Sequence, residues 1–118
     1  IKKNTFQNLF IEAINYNNIA LITYLKNKNF DLTFENNLAL SLASNYGQKD
    51  TIQLLINNKA KPESYNNQAI KEAFSTGNYD IVHYLFSFEN VKKSLENDDL
   101  NIFQFCMKEK ISSSIESF

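Results

Sequence analysis

Few side chains in this sequence could do covalent or metal chemistry. His83 is the one histidine and Cys106 the one cysteine, so a Cys–His nucleophile or a histidine metal site would rest on those two residues. A single cysteine excludes an internal disulfide framework and a cysteine-based zinc site. Cys106 stands in the apolar run FQFCMK, where a free cysteine packs as a small hydrophobe. Glu96, Asp98 and Asp99 form an acidic cluster. It lacks the alternation and closing glutamate of a calcium loop and is expected to cap the first helix of a fourth, last repeat unit. Two glycines leave no Gly-rich phosphate cradle. No catalytic residue, cofactor site or metal site follows, and a non-enzymatic chain is expected. What remains is contact chemistry, carried by 10 Phe and 6 Tyr without any Trp.

The elements that position these groups must fit into 118 residues, one domain's worth of chain. Twelve basic and 13 acidic side chains leave a net charge of -1, which argues against nucleic acid or an anionic membrane as partner. No apolar run is long enough to span a bilayer, while an apolar fraction of 43% suffices for a packed core. Ile1-Lys2-Lys3 is not an initiator methionine followed by a signal-type apolar stretch. The expectation is a monomeric portion of an intracellular, cytoplasmic protein. Eighteen asparagines suit caps and turns better than helix interiors, as many short helices would require.

The chain repeats itself every 30 residues. Ala13, Ala43 and Ala73 fall in one column, Leu25, Leu55 and Leu85 in another, and Ile22, Ile52 and Val82 in a third. Phe10, Leu40 and Ile70 form a further apolar column. Asn17, Gly47 and Gly77 share a column, followed by Asn18, Gln48 and Asn78. Residues 36–58 and 66–88 are identical at seven of 23 positions, where chance would give about one or two. Each unit reads as two short helices. NNLALSLASNYG sets Leu38, Leu42, Ala39 and Ala43 at helical spacing, and QKDTIQLLINN sets Ile52, Leu55 and Ile56 on one stripe. Gly47 and Gly77 supply left-handed stops between the two, with Asn17 as a tolerable stand-in. The small alanine column marks a close approach of helices. Pro62 ends any helix between units. One helix pair cannot bury its apolar face alone, so the stack is the folding unit.

NNLALSLASNYGQKDTIQLLINNKAKPES and NNQAIKEAFSTGNYDIVHYLFSFEN resemble the ankyrin repeat family, with its turn, first helix, Gly stop and second helix. Asp80-Ile81-Val82-His83-Tyr84-Leu85 is similar to the family's second-helix core, and Lys59-Ala60-Lys61-Pro62 stands where Gly-Ala-Asp-Pro would. The 30-residue spacing, shorter than the usual period of about 33, resembles the ankyrin variant of large DNA viruses. The resemblance implies an all-α solenoid of stacked helix-turn-helix units within a single domain over 1–118. Its units span about 5–34, 35–64 and 65–94, with a degenerate capping unit over 95–118. In that last unit Leu100 and Ile115 stay in register, while Phe103 and Met107 replace alanine and glycine. FSFENVKKSLENDD lacks the pattern and is expected to be an irregular turn. The family's Thr-Pro-Leu-His tetrapeptide is absent, so the hydrogen bonds it makes between units must be replaced or lost. Glu12 and Glu72 stand where the family has leucine, and a buried carboxylate is costly unless paired. Both are expected to reach solvent or a lysine.

The resemblance also implies a function, binding of a protein partner through a concave groove and the loop tips beside it. Tyr16, Tyr46 and Thr76 share the column just before the stop, which faces that groove in an ankyrin stack. Asn15, Asn45 and Ser75 stand beside them. Phe34, Glu35, Ser64 and Tyr65 fall on the bordering loop tips. Tyrosine offers a large amphipathic contact area at low entropic cost. Tyr24 and Tyr84 share a second-helix column and are expected to line helix–helix contacts, with His83 on an outward position. Two rival functions remain open at this point: a structural spacer within a longer solenoid, and a ligand-binding or enzymatic domain whose site leaves no motif.

Overall fold

The computed structural model describes the backbone over residues 3–116 and the side chains over residues 5–109. Eight helices follow one another, without a strand among the described residues. They are α1 (Lys3–Asn15), α2 (Ile19–Asn27), α3 (Phe34–Tyr46), α4 (Lys49–Asn57), α5 (Ser64–Ser75), α6 (Tyr79–Phe86), α7 (Glu89–Asp98) and α8 (Leu100–Glu116). Each odd helix packs on the even helix that follows it, and the odd helices also pack on one another in series, α1 on α3, α3 on α5, α5 on α7. The result is a stack of four helix pairs. Among the described residues no helix is long and apolar enough to cross a membrane.

The repeat columns become the core. Phe10, Leu40 and Ile70, Ile22, Ile52 and Val82, and Leu25, Leu55 and Leu85 are all buried. Ala13, Ala43 and Ala73 are buried as well, and any larger side chain there would overpack the core. The stops take the conformation their residue types favour. Gly47 and Gly77 have φ of 74° and 76°, and Asn17 has φ 52°. Asn18 then caps α2 by accepting a hydrogen bond from the Leu21 amide at 3.0 Å.

Bonds between units replace the missing tetrapeptide. Asn37 donates through Nδ2 to Ser64 Oγ at 2.9 Å, and Asn67, one unit on, donates to Ser94 Oγ at 2.8 Å. In the other direction Gln48 donates through Nε2 to the Ile14 carbonyl at 2.8 Å, and Asn78 donates to the Asn45 carbonyl at 3.2 Å. The buried Thr51 hydroxyl adds a bond to Asn17 Oδ1 at 2.7 Å. Each unit is thereby tied to its neighbour through polar groups at equivalent positions.

The last unit departs from expectation. Residues 89–98 are a helix, not an irregular turn, and the boundary drawn at 94/95 runs through it. Odd helices begin at residues 3, 34, 64 and 89, so the fourth unit starts early. Val91 and Leu95, four apart and both fully buried, give α7 its core-facing stripe. α8 then occupies the second-helix place and seats Ile102 and Cys106 in the core. Leu100, shifted out of the repeat frame, is half-exposed; Ile115 lies outside the described side chains.

Candidate functional site

α3 and α5 lie side by side and enclose an open groove of about 630 Å³. Four of the ten expected contact residues line it: Glu35, Asn45, Tyr46 and Tyr65. Both helices enter it through an unusual turn. Glu35, Asn36 and Asn37 have φ of 54°, 57° and 63°, and Tyr65, Asn66 and Asn67 have 54°, 56° and 60°. Three successive left-handed residues cost conformational energy that asparagine tolerates best among residues bearing a side chain. The Asn-Asn pairs make these turns feasible, and the amide of the second asparagine, Asn37 or Asn67, partly offsets the strain through its bond between units. The turns carry Glu35 and Tyr65 to the mouth of the groove, where both are exposed.

The groove wall contains a residue whose role the sequence did not reveal. Among the described residues Glu72 does not pair with a lysine. Its Oε2 accepts from Asn45 Nδ2 at 2.8 Å, and its Oε1 accepts from Gln68 Nε2 at 2.6 Å. Two neutral amides thus hold the carboxylate in a half-buried place. Glu12, in the same column, is exposed to solvent as expected. Leu38, Ser41 and Leu42 complete the floor. Gln68 and Leu38 were hidden because neither is unusual in a helix; only the register of α3 against α5 brings them together.

The other expected contact residues lie elsewhere. Tyr16 is 78% exposed one unit away. Asn15 supports the groove from outside, its Oδ1 accepting from the Tyr46 hydroxyl at 3.1 Å. Phe34 does not stand free at a loop tip. Its half-buried ring packs between Phe10 and Phe30, with centroids 5.7 and 5.5 Å away, because an exposed phenyl ring gains more by joining that apolar cluster. Ser64 is half-buried and accepts the Asn37 bond. Ser75 and Thr76 turn their hydroxyls back to the Glu72 carbonyl, both at 3.0 Å, and so serve the end of α5.

The residues with chemical potential have structural surroundings. Cys106 is buried, and its thiol is pushed up to about 11 by desolvation, with a smaller push from Glu109. A thiol so protonated is a poor nucleophile. His83 is exposed and stacks on Phe105 at 5.8 Å. Tyr24 is exposed rather than lodged between helices, with Lys28 Nζ 5.7 Å from its ring centre. Tyr84 does pack at a helix contact, against Phe88 and under Lys49. The acidic cluster does not cap the first helix of the fourth unit: it stands at that helix's end, where Asp99 caps the second helix, α8, by accepting from the Ile102 amide at 3.1 Å, while Asp98 accepts from Asn67.

Comparison with known proteins agrees with the fold. A family model described as ankyrin repeats (3 copies) matches residues 9–103. No curated protein and no solved structure matches the chain.

Proposed function

The chain belongs to the ankyrin repeat family, and from that premise we propose that it is a non-enzymatic module that binds a protein partner through its concave groove and adjoining loop tips. Ankyrin repeats are in general protein–protein interaction modules. The observation that carries the proposal is the α3–α5 groove, with Tyr46 48% and Tyr65 65% exposed at its edge. Aromatic side chains held open beside a preformed concave surface gain most when a partner covers them. Tyr46 stands at the end of α3 and Tyr65 in the turn that opens α5, both on a scaffold fixed by bonds between units, so little conformational entropy is lost on binding.

Affinity capture from a lysate of the native cell tests this, with the chain and a Tyr16→Ala/Tyr46→Ala/Tyr65→Ala variant as matched baits. The expected result is a partner retained by the chain and lost by the folded variant. A partner retained by both would place binding on another surface. No specific partner at all would favour a spacer role in a longer solenoid.

A further inference from the structure

We propose that the α3–α5 section of the groove receives an arginine or lysine side chain from an extended basic segment of the partner; this rests on the groove being the binding face. The residues lining this section include two carboxylates, Glu35 and Glu72, and no cation. Glu72 is already fixed, because Asn45 and Gln68 each donate to one of its oxygens. Those donors are neutral, so they position the carboxylate without cancelling its charge. A carboxylate has about four acceptor positions, which leaves room for a guanidinium or ammonium to add its own bonds.

The tyrosines suit the same guest. This chain's lysines stand over its aromatic rings elsewhere, Lys49 Nζ 5.7 Å from the Tyr84 centroid and Lys28 Nζ 5.7 Å from that of Tyr24. Among the described residues no such cation stands over Tyr46 or Tyr65, whose ring faces are available for the same interaction. Leu38 and Leu42 on the floor can cover the aliphatic stem of a long basic side chain. An acidic segment would instead set its carboxylates against Glu35 and Glu72. Lys71 occupies the position of Ser41 one unit further on, outside the residues that line this section, so the cation site is confined to α3–α5.

The test uses fluorescein-labelled heptapeptide pools whose central residue is fixed as arginine, lysine, norleucine or glutamate, with binding read by anisotropy. The arginine and lysine pools are expected to bind about tenfold tighter than the norleucine pool, and to weaken as salt is raised. Glu35→Gln/Glu72→Gln should abolish that preference while the far-ultraviolet circular dichroism stays helical. The glutamine at position 72 keeps one acceptor oxygen for Asn45 or Gln68, and the other of those two amides can turn its own oxygen toward the new NH2. Tyr65→Gly should bind every pool more weakly yet melt higher, because glycine relieves the φ of 54°. A preference that survives in the double glutamine variant overturns the inference. Equal binding of the arginine and norleucine pools also overturns it, yet leaves the groove as the binding face if Tyr46→Ala/Tyr65→Ala abolishes both. Binding by no pool overturns it too, and the groove is then judged by lysate capture alone.

Discussion

Gly47 and Gly77 hold the same place in consecutive units, at φ 74° and 76°, yet their surroundings differ. A Cβ on Gly47 would lie 2.8 Å from Asn78 Oδ1, whereas one on Gly77 meets nothing within 4 Å. Gly77→Ala should therefore cost only the left-handed penalty, about 1–2 kcal/mol. Gly47→Ala should cost about 1 kcal/mol more, because Asn78 must shift away from the carbonyl it binds across the unit boundary. Chemical denaturation of the two variants measures the difference, and equal losses would show that Asn78 yields freely. Cys106 gives a second handle at this scale. Its thiol titrates near 11 in the folded chain against an ordinary 9.0. Folding therefore favours the protonated form. That contribution is complete below pH 9 and fades as pH rises toward 11. At pH 8 an aromatic disulfide reagent should label Cys106 slowly in buffer and quickly in denaturant; rapid labelling of the native chain would contradict its burial. Asp31 shifts the opposite way, its carboxyl lowered chiefly by the Thr33 hydroxyl and then by the Thr33 amide. Its contribution is present above the ordinary carboxylate range and is lost on acidification.

Between elements, the repeated asparagines carry the cohesion. Asn36 and Asn37 are both left-handed, but only Asn37 reaches Ser64 in the next unit. Asn37→Ala should thus destabilise the fold by about 1 kcal/mol more than Asn36→Ala, measured by urea denaturation with both variants compared at equal slope. The alanine, leucine and glycine columns were legible because each reflects a rule local to one helix pair and recurs in sequence. The double-asparagine turns carried a signal too, since Asn-Asn favours left-handed turns; the Glu35 and Tyr65 that precede them do not. α7 was illegible because its apolar stripe is only Val91 and Leu95 within a polar stretch, and because the spacing contracts there. The groove was half legible. Tyr46 and Tyr65 stand out by type, whereas Glu72 acquires its role only when Asn45, 27 residues earlier, is folded against it. Phe34 misled for a related reason, since an aromatic residue beside a turn does not reveal whether neighbouring rings will enclose it.

At the scale of the whole molecule the stack is elongated. Its extents are 56 × 26 × 21 Å and its radius of gyration is 15.4 Å, against about 13.5 Å for a compact chain of this length. In such a molecule stability approximates a sum over units and the interfaces between them. The polar bonds follow the same economy of reach. Asn37 and Asn67 point one unit forward, and Gln48 and Asn78 point one unit back. Gln48 and Asn78 seek backbone carbonyls that any preceding unit can offer, whereas Asn37 and Asn67 seek the serine in the column of Ser64 and Ser94. Inserting a second copy of residues 35–64 after Ser64 should leave each of these four bonds with a partner and forfeit only the Thr51 bond of the inserted copy, which meets Gly47 in place of Asn17, and the lengthened chain should melt at a higher temperature. A lower melting temperature would mean that contacts beyond nearest neighbours matter. The molecule thus carries its own rule for growth by tandem duplication, in which an extra copy of the gene segment arrives with its adhesive already in place.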